Sequence, residues 1–542
     1  MSRHHLLSVL ALLAVACSPL ASLGQVSKQG LLSSEGARRA GLTRMWFTHL
    51  EMDSARGRMQ GITHHVSSVQ SHTEFEVTFR GRSYLFSERD IDAFGNAIGV
   101  DGAKEAAEKK IAGLTLLVTS APAAGAVPPA NAAPPANQAP AAGAPAAAAP
   151  KPEAPKLLMH VIPEITIYAT SERGLVHAID GETGKTKWAS FVGDPRYPTS
   201  NCGASDDMVA VFNGSKVYVL KASDGSLNWE KAIPGAPVQG PAVTEDYVFV
   251  PLLNGKVEAY QVDYPRRAAA TFRTMGRPTT QPIVLNHSVA WATDRGHVYV
   301  ANANDAKVKY RVETKDNVVS TPGFLPPDKI FATSQDGYVY SLRESRGGIA
   351  WRFSTGESIT HAPVGVRDTV YAIADSGTMY SIDAEAGTEN WTTSGIRGFI
   401  AASTDRLYCT DITASLVVLD ARSGSRVASI SAPELEVRMM NTETDRIVVG
   451  TPSGLLQCFR EIDQKWPEIR LMQDGGPRKA APKKGEKKEE ADKPKVPVDE
   501  TKPAEDDPFA KPAAAGAAKP AEGAAPAEGT PPVEGADPFG GK

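Results

Sequence analysis

Histidine and cysteine are the residue types of this chain whose chemistry asks for an explanation first. His49, His64, His65 and His72 crowd its N-terminal part, and closely spaced imidazoles are a common metal-ligand set. Along a strand, however, His64 and His65 point to opposite faces. No HExxH run or spaced carboxylate accompanies them, so surface histidines are expected and no metal. The four cysteines, Cys17, Cys202, Cys409 and Cys458, have neither CxxC nor CxxxC spacing. A zinc site or disulfide framework is therefore not indicated, and the last three read as small buried hydrophobes. There is no GxSxG, Walker loop or kinase signature, so the nucleophile and phosphate chemistries those motifs serve have no foothold. A net charge of -4 over 542 residues gives no overall bias toward nucleic acid.

What recurs instead is a set of Asp, Gly and Trp residues. Asp180, Gly184 and Trp188 are spaced four apart, as are Asp383, Gly387 and Trp391, while Gly225 precedes Trp229 and Gly347 precedes Trp351 by the same interval. Asp and Gly serve a chain reversal, which places each Trp on the strand that follows. Upstream of every such turn lies another, whose glycine stands five residues before an apolar residue in Gly174/Ile179, Gly255/Tyr260, Gly296/Ala301, Gly337/Leu342, Gly377/Ile382 and Gly454/Phe459. Gly214 is one residue out of that register before Leu220, and Ala414 stands in for the glycine before Leu419. Asn213-Gly214, Asn254-Gly255 and Asp336-Gly337 are pairs that tolerate the positive φ of a tight hairpin. A Pro-containing strand precedes each hairpin, at Pro241, Pro282, Pro322 and Pro363.

From 157 to 471 the period is about 40 residues, the signature of a propeller or solenoid. Four short strands per copy make an all-β, eight-bladed β-propeller of four-stranded blades, or seven if the first and last partial copies combine. In such a ring each Trp lies between neighbouring blades, burying about 150–250 Å² and contributing at most about 4–6 kcal/mol. Tyr310, Ala269 and Ala428 stand where the pattern decays. Gln239, Gln281, Thr321 and His361, just ahead of the innermost strands, would line a mouth of the central channel. A ligand contact and a plain solvated funnel both account for them.

The run Ile179-Asp180-Gly181-Glu182-Thr183-Gly184-Lys185-Thr186-Lys187-Trp188 resembles the pyrroloquinoline-quinone-type propeller repeat, and the likeness extends over more than half the chain. That family holds quinoprotein dehydrogenases with a bound quinone and calcium, and non-enzymatic scaffolds similar to the outer-membrane assembly lipoprotein of the β-barrel machinery. The dehydrogenase branch implies an adjacent Cys pair, a Glu/Asn/Asp calcium set, a catalytic Asp and long insertions in the blades. This sequence carries no such pair, and its blades are near minimum length. The resemblance therefore implies a scaffold without cofactor, although the N-terminal module and the tail depart from that branch.

Around the ring, residues 1–24 read as a signal peptide, with Arg3 ahead of an apolar run that is too short to span a bilayer. Cleavage before Cys17 would leave a lipid anchor on that residue; cleavage near Gly24 would remove it. Residues 26–120 are expected to form a small β-rich module, with strands near Met45-Trp46-Phe47, Phe75 to Phe79 and Tyr84-Leu85-Phe86 and a helix over Ala103 to Ile111. The Ala/Pro-rich linker 121–156 and the Lys/Glu/Ala/Pro-rich tail 472–542 cannot bury a core and read as disordered. The tail carries Asp507-Pro508-Phe509 and Asp537-Pro538-Phe539, either short recognition motifs or coincidence in biased sequence. The expectation is an exported, non-enzymatic scaffold of the periplasm or cell envelope, with outer-membrane protein assembly as a candidate task. Its partners would be envelope proteins or peptides. A quinone-dependent dehydrogenase and a sensor or carbohydrate-binding module are the alternatives.

Overall fold

Each blade grows from the hairpin that its turn glycine allows. Gly214, Gly255 and Gly337 have φ of 59°, 77° and 81°, a left-handed conformation that glycine adopts without a steric penalty. Ala414 occupies the same conformation at φ 61°, held there by Asp411, whose side chain accepts the backbone N–H groups of Thr413 and Ser415 at 2.9 Å each. The hairpin strands that follow are apolar on both faces; Val209 to Phe212 and Val217 to Leu220 are buried throughout. They can only be the middle of a stack of sheets.

The computed structural model describes residues 30–52, 57–119 and 154–470. The expected signal peptide with Cys17, most of the linker and the tail with its two Asp-Pro-Phe triplets lie outside them. The chain opens with a short helix α1 (Ser34–Arg39), then strands β1 (Leu42–His49), β2 (Met59–Phe79) and β3 (Arg82–Ser87), helix α2 (Gly99–Thr119), and strands β4 (Lys156–Ser171), β5 (Leu175–Asp180) and β6 (Thr186–Phe191). Eight antiparallel sheets result. The first contains β2, β4, β5 and β6, with β3 added beyond β2, and the next six each use four consecutive strands within 203–430. The last sheet takes Val437–Arg438, Ile447–Gly450 and Leu455–Glu461 and completes itself with β1. The first strands of neighbouring sheets touch one another, so they face the axis and the tryptophan strands face outward. Eight separate apolar clusters, one between each pair of adjacent sheets, make a closed cycle. The fold is an all-β propeller.

The N-terminal part differs from the expected separate module. Leu42 pairs with Glu461 and His49 with Leu455, so β1 is the outermost strand of the last blade. Met59 to Val66 pairs with Ile165 to Ser171 and forms the innermost strand of the first. Only then does the chain leave the ring: β2 and β4 continue past a register shift between Val66 and Ser71 as a long two-stranded arm. β3 joins β2 at its far end, pairing Glu74 with Ser87 and Phe79 with Arg82. α2 covers one face of this small sheet through Phe75, Val77, Phe79, Ala103, Ala107 and Leu114. The β-rich module is thus an insertion into the first blade. A strand pattern alone cannot reveal this, because alternation gives a strand its faces and not its neighbours.

Candidate functional site: the ring seam and the inserted sheet

The tryptophans do more than fill space. Trp188 donates its indole N–H to the Ala222 carbonyl of the next blade at 2.8 Å, Trp229 to Val262 at 2.9 Å, Trp351 to Ala384 at 3.2 Å and Trp391 to Ala421 at 3.0 Å. The glycine of the next repeat completes the seat. A Cβ on Gly225 would lie 2.4 Å from the ring of Trp188, and one on Gly387 2.6 Å from that of Trp351. Glycine at this position therefore serves both its turn, at φ 71° and 70°, and the indole of the preceding blade. Asp180 and Asp383 hold the turns themselves, each accepting two backbone N–H groups. Gly347 seats Tyr310 in place of a Trp, with the phenol on the Arg343 carbonyl.

Sequence reasoning missed two members of the set, Gly424 under Trp391 and Trp46. Trp46 lies on β1, donates to the Gly181 carbonyl at 2.8 Å and rests on Gly184, where a Cβ would come within 2.5 Å. It is the latch of the ring seam. The available signal was a shortage: after Phe459 the last copy has no Asp-Gly-Trp segment of its own, and its fourth strand had to come from elsewhere. Arg446, nearly fully buried, reinforces the seam by bridging Asp445 and Glu182 of the first blade.

His64 and His65 do point to opposite sides of their strand, but they are not surface residues. Sitting on the innermost strand of the first blade, His64 faces Glu443 of the last blade at 3.2 Å and His65 faces Asp206 of the second at 3.0 Å. Burial alone would raise the Asp206 carboxyl, yet hydrogen bonds from His65, Ser68 and Ser67 hold it well below the usual carboxylate range. Burial is likewise outweighed at Glu443 by the facing imidazoles. Ser68, His65 and Asp206 are the components of a nucleophilic triad in the wrong order. Both Ser68 and His65 bond to the carboxylate, so the imidazole does not receive the hydroxyl proton. The group works as a clamp on the register shift where the arm leaves the ring, and Ser67 closes the same bend by accepting the N–H groups of Val69 and Gln70. His72 lies on the inserted sheet and is buried as well.

Gln239 and Gln281 are brought together: the Gln281 N–H reaches the Gln239 amide oxygen at 3.4 Å, and its side chain ties to the carbonyls of Cys202 and Pro241 at 3.0 and 2.8 Å. Thr321 and His361 head the inner strands two blades on, His361 accepting from Thr333 at 2.7 Å. The cysteines are dispersed over three different inter-blade cores, and burial pushes the Cys202 and Cys409 thiols up to about 12. No group of His, Cys, Asp and Glu among the described residues could hold a metal ion. The three described cysteines, in separate cores, do not form the adjacent pair that the dehydrogenase branch implies.

The inserted sheet presents a strand with four exposed apolar residues, Leu157, Leu158, Met159 and Val161. In its first half β4 pairs with β2 alone among the described residues, because β5 joins only from Thr166 onward. Leu157, Met159 and Val161 lie on the α2 side, exposed by 37%, 62% and 48%. A free strand edge with apolar side chains is a template for another strand. No described helix is long and apolar enough to cross a membrane.

Repeat, ring and latches define a β-propeller built from pyrroloquinoline-quinone-type repeats. Those repeats are related to the family described as outer membrane protein assembly factor BamB, whose profile matches residues 172–268. The BamB of Yersinia pestis is 22% identical over 341 residues, covering 57% of this chain and 76% of the relative. The serine/threonine-protein kinase AfsK of Streptomyces griseus is 25% identical over 244 residues, 42% of this chain and 29% of the kinase. The crystal structure of BamB from Moraxella catarrhalis aligns with a TM-score of 0.47 at 14% identity, covering 54% of this chain and 91% of that one.

Proposed function

We propose that this chain is a non-enzymatic propeller scaffold of the bacterial cell envelope that binds other proteins and takes part in outer-membrane protein assembly. The observation that carries the reading is the apolar edge of β4, unpaired among the described residues and displayed on a sheet continuous with the first blade. A partner strand can add there by main-chain hydrogen bonds, with Leu157, Met159 and Val161 choosing among side chains. Similarity to relatives named for outer-membrane protein assembly, over three quarters of the Yersinia protein, supports the task. Export, with or without a lipid on Cys17, belongs to the same proposal.

A photo-reactive residue in place of Met159, in cells, tests it. The expected result is a crosslink to a defined envelope protein or an outer-membrane precursor that disappears when Val161→Pro spoils the edge. Enrichment of glycans instead would favour a carbohydrate-binding module, and a co-purifying quinone chromophore a dehydrogenase. Either result without a protein crosslink overturns the scaffold reading.

A further inference from the structure

Among the described residues no helix covers the face of the inserted sheet opposite α2. It forms the floor of a cleft of about 400 Å³, with Leu85 and Ser87 from β3, His72 and Glu74 from β2 and Ile162 from β4. Pairing of Glu74 with Ser87 and of His72 with Ile162 puts these side chains on one face. The walls come from three other places: the turn of the first blade at Glu182, the loop after β3 at Arg89 and Asp90, and the chain beyond the last blade at Arg460, Lys465 and Trp466. Trp466 stands beside the floor, stacked on His160 at 4.4 Å.

The charges in this cleft are unevenly matched. Each cation at the rim already has its partners. Lys465 bonds to Glu76 at 3.0 Å, Arg89 faces Asp180 and Glu164 at 3.5 and 3.9 Å, and Arg460 is spent on the carbonyls of Glu461, Ile462 and Gln464. Glu182 is engaged with Arg446 and Asp90 with the Ser87 N–H. Glu74, with its side chain only 21% exposed, has no Lys or Arg in contact among the described residues; His72 Nε2 lies at 3.7 Å, too far for a hydrogen bond. Burial raises the Glu74 carboxyl; the Ser87 hydroxyl and the charge of Arg89 oppose that, while Glu182 and Asp90 add to it. His72, its side chain 6% exposed, leaves Nδ1 without a partner. Burial and the charge of Arg89 lower its pKa, which favours the neutral ring. A half-buried carboxylate with no cation in contact and a buried imidazole nitrogen short of a bond are costly unless something supplies both.

We infer that this cleft binds an ammonium or guanidinium group carried on an apolar stem, with Glu74 as its counter-charge, His72 as an additional acceptor, and Leu85, Ile162 and Trp466 enclosing the stem. A lysine or arginine side chain of a partner peptide and a free diamine share this chemistry. The inference does not depend on β4 receiving a strand, since the cleft and the free edge are different surfaces of the inserted sheet.

Calorimetric titration of the full chain with acetyl-Ala-Lys-Ala-amide, with cadaverine, and with the uncharged acetyl-Ala-norleucine-Ala-amide decides the matter. The charged probes should bind at least about tenfold more tightly than the norleucine peptide, and Glu74→Gln should remove that advantage. Binding of the lysine peptide alone assigns the group to a peptide; binding of cadaverine as well extends it to free amines. Leu85→Lys, at a position 48% exposed, should block both charged probes by placing the chain's own ammonium in the cleft, and it covers the case in which Glu74→Gln fails to fold. Equal affinity for the norleucine peptide, no binding of either charged probe at millimolar concentration, or binding undiminished in both variants overturns the inference. None of these outcomes bears on the Met159 crosslink.

Discussion

Replacing Trp46 by alanine tests the seam directly. The residue is 7% exposed, so truncation removes most of an indole burial of about 150–250 Å², at most about 4–6 kcal/mol at about 25 cal/mol per Å². Aromatic-to-alanine changes in cores cost about 3–5 kcal/mol, and the Gly181 carbonyl loses its donor, worth about 1 kcal/mol. Trp46→Ala should therefore cost about 4 kcal/mol, a large share of the total stability of an ordinary domain. Trp229→Ala serves as the comparison, because Trp229 is half-buried and rests on no glycine; about 2 kcal/mol is expected there. Urea unfolding gives both numbers. Hydrogen exchange gives the location: amides of Leu455 to Glu461, which pair with β1, should lose protection in Trp46→Ala and keep it in Trp229→Ala. Equal costs, or unchanged protection of that strand, would refute the assignment of Trp46 as the seam latch.

Three further outcomes are expected. Ala414→Gly should stabilise the protein by up to about 1 kcal/mol in thermal unfolding, because Ala414 bears the strain of φ 61° while glycine adds freedom to the unfolded chain, and the first effect is the larger. Asp206 has a folded pKa below its unfolded value of about 3.9, so its contribution is complete above about pH 4 and is lost as the pH falls further; Asp206→Asn should be less stable than the parent at pH 7, with the gap narrowing in unfolding curves taken below pH 4. Cys202 and Cys409, buried and with thiols pushed up to about 12, should resist a thiol reagent in the native protein and react stoichiometrically in denaturant.

The ring was legible because a propeller repeats a local pattern. Gly174 with Ile179 and Asp180 with Gly184 and Trp188 are neighbours in sequence and in space, and the repetition of such intervals fixes four-stranded units. What pairs across the chain was not legible. Met45-Trp46-Phe47 reads correctly as a strand, but its partner lies at Leu455–Glu461, and no local spacing announces that. His64 and His65 were misjudged for the same reason, since the carboxylates that face them are Glu443 and Asp206. Glu74 and His72 likewise became a site only when Glu182, Lys465 and Trp466 were folded around them.

Because Leu42 pairs with Glu461, the earliest strand of the ring to be synthesised has to wait for the latest. Until then the apolar flank of the first blade, and later that of each growing stack, has no lasting cover. Contacts of such sequence separation are slow to form, and open blades with free edges invite association with other chains. Closure should therefore be the late, rate-limiting event of biogenesis, and a shortened chain lacking Leu455–Glu461 should survive in the cell only under the care of a chaperone.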